Sequence, residues 1–280
     1  MKPDLYAVVG NPIGHSLSPR IHALFAAQTK QHMVYEARLG RPGHFEEDVR
    51  SWFRNGLRGL NVTVPFKEDA FRLVEHRTPR AEHAGAVNTI WAEPDGALTG
   101  DNTDGAGFLR DLTQRLGFEP AGRQVLILGA GGATRGLLEP LLLAAPARLV
   151  VANRTPERAR ALVESFAELA GATQLESSGL DSIPAGPYDL VVNATAAGLG
   201  KESLALPSSL CGGTGVAYDL VYGPASRPFL DWARQQGVVK ATDGLGMLVE
   251  QAAEAFAAWR GIRPDTAPVL RELQEALAER

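Results

Sequence analysis

The sequence predicts a two-domain α/β protein: an N-terminal α/β domain with a mostly parallel sheet, a doubly wound nucleotide-binding domain, and C-terminal helices that return to the first domain. Three observations carry this expectation. The chain has 280 residues, beyond the usual size of one domain. Short apolar runs alternate with amphipathic ones, the βαβ rhythm of parallel strands covered by helices. Mid-chain, a fully apolar strand runs into a glycine-rich turn at residues 125–133.

The first hundred residues read as strand LYAVVG, helix PRIHALFAAQTK, strand MVYEARL, helix FEEDVRSWFRN and strand GLNVTVP. In the last of these, valine and threonine favour extended backbone. Pro65 has no N–H for a sheet ladder and should end the strand, leaving Asn61 and Lys67 at its edges. TPRAEHAGA reads as a helix, and AVNTIWAEPDGALTGDN as a hairpin turning at Asp95-Gly96. GAGFLRDLTQRLG is amphipathic, with Phe108, Leu109, Leu112 and Leu116 on one face.

A second series starts at Arg123: strand QVLILG, helix GGATRGLLEPLLLAA, strand RLVVANR, helix PERARALVESFAELA, strands YDLVVNAT and GVAYDLVY, helix PFLDWARQQG, then strand and loop VVKATDG. Pro140 should kink the first of these helices or loosen one turn. The tail, GMLVEQAAEAFAAWRG and TAPVLRELQEALAER, is helical with no strand to follow, so it should pack on the first domain. The expected domains are 1–104 plus 245–280, and 105–244.

Composition narrows the function classes. Apolar residues make up 45% and charged residues 21%, ordinary for a soluble globular protein. The net charge of −4, with Lys and Arg scattered, offers no basic stripe to nucleic acid or an anionic membrane. The longest apolar stretches are broken by charge or proline, and MKPDLYAVVG lacks the pattern of a signal peptide. A single cysteine, Cys211, suits a reducing cytosol. The six histidines (15, 22, 32, 44, 76, 83) show no ligand spacing, so no metal is expected. Trp52, Trp232 and Trp259 fall on amphipathic segments and are assigned to the core. The expectation is a cytoplasmic protein, monomer or homodimer, acting on a small molecule.

The turn Gly129-Ala130-Gly131-Gly132-Ala133 suits a pyrophosphate. Glycines allow close backbone approach, and the helix N-terminus offers free N–H groups and a positive dipole end. Thr134 stands where the general fingerprint has a third glycine, a variant of the Rossmann-like pattern. In NAD binders the next strand usually ends in an acid that accepts from the ribose hydroxyl. Here it ends Ala152-Asn153-Arg154-Thr155, with Arg158 shortly after. Guanidinium forks suit a 2′-phosphate, so NADP is favoured over NAD.

Four stretches are dense in small polar residues: GNPIGHSLSPRIH (10–22), NVTVPFK (61–67), AGAVNT (84–89) and GDNTDGAG (100–107). Each falls at a strand end or in the loop after one, the rim where open α/β sheets bind ligands. Singly, each is ordinary turn chemistry. Together, their hydroxyls (Ser16, Ser18, Thr63), amides (Asn61, Asn88), lysine and aspartate suit a small, hydroxyl-rich substrate.

With GAGGATR, NRT, NATAAGL, YDLVYGP and DGLGMLVEQAA following in order, the chain resembles the shikimate dehydrogenases over essentially its full length. The resemblance implies NADPH-dependent reduction of 3-dehydroshikimate to shikimate, on the route to chorismate and the aromatic amino acids. It implies that Ser16, Ser18, Thr63, Asn88, Asp104, Tyr222 and Gln251 hold the substrate, and that Lys67 and Asp104 are the catalytic pair. Residues 129 to 133 (Gly129, Ala130, Gly131, Gly132, Ala133), Asn153, Arg154, Thr155, Arg158, Leu220 and Gly244 would line the cofactor. Departures are Ala196 and Ala197, where many members carry hydroxyls, and Arg227, where threonine is common. Which of Lys67 and Asp104 moves the proton stays open. A quinate/shikimate paralogue and a silent NADP-binding regulatory protein are the alternatives. The GHSLSP and GDNTDG stretches argue against methylene-tetrahydrofolate dehydrogenases, which share the two-domain plan.

Overall fold

The computed structural model describes residues 2–195, 206–207 and 210–278. Ala196 and Ala197 lie outside the described residues. The chain divides into two compact units, Met1–Gly107 with Val249–Arg280, and Phe108–Leu248.

The first unit is built on strands β1 (Asp4–Gly10), β2 (Met33–Leu39), β3 (Leu57–Val62), β4 (His76–Arg77), β5 (Thr89–Ala92) and β6 (Leu98–Asp101). Their order is β2-β1-β3-β5-β6-β4. β1 runs parallel to β2 and β3, and β4 parallel to β6, whereas β5 is antiparallel to both neighbours, β3 and β6, the expected hairpin joining it to β6. Gly96 takes φ +91° at that turn, and Asp95 accepts the Ala97 N–H.

Helices α1 (Ser18–Thr29), α2 (Phe45–Arg54), α3 (Lys67–Leu73) and α4 (Pro79–Ala84) cover the sheet. Three acids open α2 and Arg54 closes it, which complements its dipole. One sheet face buries Ala7, Val9, Leu60, Val62, Phe66 and Ile90. Alternation puts Tyr6 on the other face, beside a cluster of Phe25, Tyr35, Phe256 and Trp259 around His22.

The NVTVPFK stretch departs from expectation. β3 stops at Val62 rather than at Pro65, because the Phe66 N–H turns back onto the Thr63 carbonyl. KEDAFRL then forms α3. The short β4 was also not evident in the sequence.

The second unit carries β7 (Gln124–Leu128), β8 (Arg148–Asn153), β9 (Gln174–Gly179), β10 (Tyr188–Asn193), β11 (Cys211–Asp219) and β12 (Lys240–Thr242). All pairs are parallel, in the order β12-β11-β10-β7-β8-β9. This is the doubly wound arrangement, with its switch point between β7 and β10. β9 escaped the sequence analysis because QLESSG is polar, as an edge strand with one partner can be.

Helix α5 (Asp104–Arg110) leads into this unit, followed by a π-helical turn, Asp111–Arg115. Phe108 and Leu112 are fully buried, and Leu109 and Leu116 half-buried. α6 (Gly132–Leu143), α7 (Pro156–Ser165) and α8 (Arg227–Gln235) flank the sheet. Pro140 lies inside α6 without ending it. α9 (Leu245–Arg260) and α10 (Thr266–Ala278) complete the chain. They return to the first unit, where Trp259 donates to the Ile90 carbonyl at 3.2 Å and Arg260 pairs with Asp4 at 2.6 Å.

All three assigned tryptophans are half-buried. Cys211 is buried, and burial pushes its thiol up to about 11. Among the described residues no helix is long and apolar enough to cross a membrane, and no group of three His, Cys, Asp or Glu could hold a metal.

Candidate active site

In the first unit, Lys67 opens α3. Its backbone is fixed by the Val87 N–H on its carbonyl, and the preceding Phe66 is anchored by stacking on Phe45. Asp104 opens α5, where the unpaired N–H groups of a first turn favour a carboxylate. Lys67 Nζ donates to Asp104 Oδ2 at 2.5 Å, with both side chains partly buried. The other carboxylate oxygen, Oδ1, accepts from Asn88 Nδ2 at 2.8 Å. Asn88 also reaches Gln251 Oε1 at 3.4 Å. Gln251 can come this close because residue 107 is glycine: a Cβ there would lie 2.5 Å from the Gln251 backbone nitrogen.

Lys67, Asp104, Asn88 and Gln251 therefore form one hydrogen-bonded group. Thr63 lies on the loop leading to Lys67, its N–H held by the Val9 carbonyl. The 10–18 loop is tied to it, since Asn11 N–H donates to the Val64 carbonyl. Within that loop Ser16 Oγ accepts the Ser18 N–H at 3.3 Å, and Ser18 itself, rather than Pro19, begins α1. Tyr222 belongs to the other unit, after β11; burial, with Asp243 adding to it, raises its phenol above the ordinary value.

In the second unit, Gly129 ends β7 with φ +106°, and a Cβ there would meet the Ala194 carbonyl oxygen at 2.9 Å. Thr134, in place of a third glycine, is fully buried and donates its hydroxyl to the Gly129 carbonyl at 2.8 Å. Asn153 braces the turn by accepting the Ala130 N–H and donating to the Thr155 carbonyl. Gly131 and Gly132 face open space at the start of α6. Arg154, Thr155 and Arg158 are exposed at the end of β8 and the start of α7. Gly244 lies against Leu220, whose carbonyl oxygen a Cβ would meet at 2.2 Å. An open glycine cradle at a helix N-terminus, with two guanidiniums at the next strand tip, fits the phosphates of NADP.

Residues that the sequence did not single out complete both centres. Thr89 and Thr103 surround Asn88, and Asn193 with Asp219 pins the ends of β10 and β11. The threonines fall inside AGAVNT and GDNTDGAG, but only the fold shows which atoms they meet. Asp219 is fully buried, and burial raises its carboxyl to about 6.

Three family descriptions match the chain: shikimate dehydrogenase substrate binding domain over residues 8–90, shikimate / quinate 5-dehydrogenase over 111–199, and shikimate 5′-dehydrogenase C-terminal domain over 244–274. A shikimate dehydrogenase (NADP(+)) from Alkalilimnicola ehrlichii is 54% identical over 97% of this chain and 98% of its own. Among solved structures, an Ael1 enzyme from Pseudomonas putida matches with a TM-score of 0.90 and 46% identity, covering 96% of this chain and 98% of that one. Shikimate 5-dehydrogenase from Thermus thermophilus, in complex with NADP(H) and shikimate, matches with a TM-score of 0.84 and 36% identity, covering 98% and 99%.

Proposed function

The chain belongs to the shikimate dehydrogenase family, and from that premise we infer that Lys67 and Asp104 carry the proton chemistry of an NADP-dependent interconversion of 3-dehydroshikimate and shikimate. The enzyme is an oxidoreductase of aromatic amino-acid biosynthesis. The observation that carries the residue assignment is the 2.5 Å contact between Lys67 Nζ and Asp104 Oδ2 at the rim of the first sheet.

Bound NADPH supplies the hydride. Reduction of a ketone leaves an alkoxide, which needs a proton donor aimed at it. Lys67 Nζ and Asn88 Nδ2 each meet one Asp104 oxygen, and we assign Lys67 as the donor to that alkoxide. Asp104 orients that ammonium and shares the substrate hydroxyls. Thr63, Asn88 and Gln251 offer further hydroxyl contacts, and Ser16 and Ser18 take the ring carboxylate near the start of α1. Met1–Gly107 with Val249–Arg280 serves as the substrate unit, and Phe108–Leu248 as the cofactor unit. On the cofactor unit, backbone N–H groups of residues 129 to 133 take the pyrophosphate. Arg154 and Arg158 would take the 2′-phosphate, and Asn153, Thr155, Leu220 and Gly244 would line the rest of the cofactor site. The single buried cysteine supports a cytosolic setting.

The test is NADPH formation with shikimate and with quinate, each repeated with NAD. Quinate has a tetrahedral carbon bearing an extra hydroxyl beside its carboxylate, and burying that group unpaired costs on the order of 1–3 kcal/mol. Shikimate should therefore be preferred by at least about tenfold in kcat/KM. Comparable values for both acids would move the protein to the quinate/shikimate class. No turnover with either would favour a regulatory NADP-binding role.

A further inference from the structure

Behind the Lys67–Asp104 pair lies a run of buried polar side chains. Thr89 and Thr103 are fully buried, and Asn88 is 2% exposed. Such groups are stable in an interior only when each donor meets an acceptor, so the pattern of donors and acceptors can be worked out atom by atom.

Two backbone groups set the amides. The Thr103 N–H donates to Asn88 Oδ1 at 2.9 Å, which turns the Asn88 NH₂ toward Asp104. Asn61 Nδ2 donates to the Asn88 carbonyl at 3.2 Å, which turns Asn61 Oδ1 toward Tyr35. With both amides fixed, the Thr89 hydroxyl has one consistent role. It accepts from Asn61 Nδ2 at 3.1 Å and donates to Asn88 Oδ1 at 2.9 Å. The chain then runs in one direction from the Tyr35 phenol, through Asn61, Thr89 and Asn88, to the Asp104 carboxylate.

Its far end is well anchored. The Tyr35 ring stacks on His22 with centroids 4.1 Å apart, and the phenol donates to Asn61 at 2.7 Å. Burial raises that phenol well above its ordinary value, the Ser18 hydroxyl opposing it, so it remains a donor.

We propose that Thr89 is a positioning residue for the reaction: its hydroxyl locks the Asn88 side-chain amide, and through it the carboxylate of Asp104 that orients Lys67. The proposal rests on the assignment of Lys67 and Asp104 as the catalytic pair. Thr89 touches neither of them; it acts through Asn88, with the Thr103 hydroxyl, itself bonded to Asn88, 3.5 Å away. Removing the hydroxyl leaves Asn88 Oδ1 with the Thr103 N–H, and Asn61 Nδ2 with the Asn88 carbonyl. Neither amide is orphaned, and the fold should survive. What is lost is one of three hydrogen bonds onto Asn88 Oδ1, the Thr103 N–H and hydroxyl supplying the other two.

The test replaces Thr89 with valine, a near-isostere, and with serine, which keeps the hydroxyl. Thr89→Val should lower kcat for shikimate oxidation about five- to tenfold, the scale of one hydrogen bond. KM should change less than twofold, and Thr89→Ser should recover most of the rate. In an Asp104→Asn background, adding Thr89→Val should cost less than twofold further, because the carboxylate it positions is already gone. Unchanged kcat in Thr89→Val would overturn the proposal. So would equal losses in the valine and serine variants, which would mark a packing defect, or a full additional loss in the Asp104→Asn background. Lys67→Ala measured alongside separates the two levels. If Lys67→Ala turns over normally, the catalytic assignment fails. If Lys67→Ala is crippled while Thr89→Val is not, only the positioning role fails.

Discussion

At the residue scale, Lys67 and Asp104 each open a short helix, on different loops, and meet at 2.5 Å. Lys67→Ala removes the proton donor and leaves the hydroxyl and amide contacts in place. We expect kcat to fall roughly 10²–10⁴-fold, the scale for a positioned acid or base, with a much smaller change in KM. Near-normal turnover would remove Lys67 from the chemistry. Arg154 is a different kind of residue, exposed at the tip of the second sheet. Replacing it with glutamine should weaken NADP by at most about 3 kcal/mol, since a charge-assisted bond in a solvated setting is screened. NAD binding should stay within about twofold. Titration of both cofactors by tryptophan fluorescence would decide; equal losses would mean that Arg154 supports its loop rather than reading the phosphate.

At the scale of elements, two glycines make opposite predictions from the same substitution. A Cβ at Gly107 would lie 2.5 Å from the Gln251 nitrogen and 2.7 Å from its Cα, so Gly107→Ala must push α9 away from α5. Overpacking of this kind costs about 1–3 kcal/mol, and the shift carries Gln251 with it, so a lower denaturant midpoint should accompany a raised KM for shikimate. Gly131 meets nothing within 4 Å and has ordinary extended backbone. Gly131→Ala should leave the midpoint alone and weaken NADP, because the added methyl fills the cradle at the start of α6. If Gly131→Ala binds NADP normally, the cradle is not the phosphate site. The same elements mark how far sequence reasoning reaches. The central strands of both sheets were legible because they are buried and apolar. The polar edge strand β9 was not, nor was the seven-residue α3, hidden behind Pro65. The site stretches were legible as motifs, whereas the direction of the Asn88 amide depends on a backbone N–H from residue 103, which no local pattern reveals.

At the scale of the whole molecule, the shifted acid-titrating groups of the two units carry opposite sign. In the first unit His22 is fully buried among aromatic rings, and burial lowers it from 6.5 to about 3. Asp48, hydrogen-bonded by Arg41, and Glu75, accepting the Leu98 N–H, are held below the ordinary carboxylate range. For all three the unfolded chain takes up protons that the folded unit refuses, so stability is lost as pH falls. His22 alone contributes about 1.4 kcal/mol per pH unit below about 6.5 and down to about 3. In the second unit the resolved carboxylate shift runs the other way. Burial raises Asp219 from 3.8 to about 6, so the folded unit binds a proton more readily than the unfolded chain and gains stability as pH falls through that interval. Acid should therefore loosen the first unit ahead of the second. Hydrogen exchange on the full-length protein between pH 6.5 and 4.5, corrected for intrinsic rates, should show protection falling in β1 and β3 while β7 and β10 hold. His22→Phe keeps an aromatic ring against Tyr35 and removes the titrating group, so it should flatten the loss in β1 and β3. A parallel loss of protection in both sheets, or an unchanged slope in His22→Phe, would show that His22 does not set the acid response.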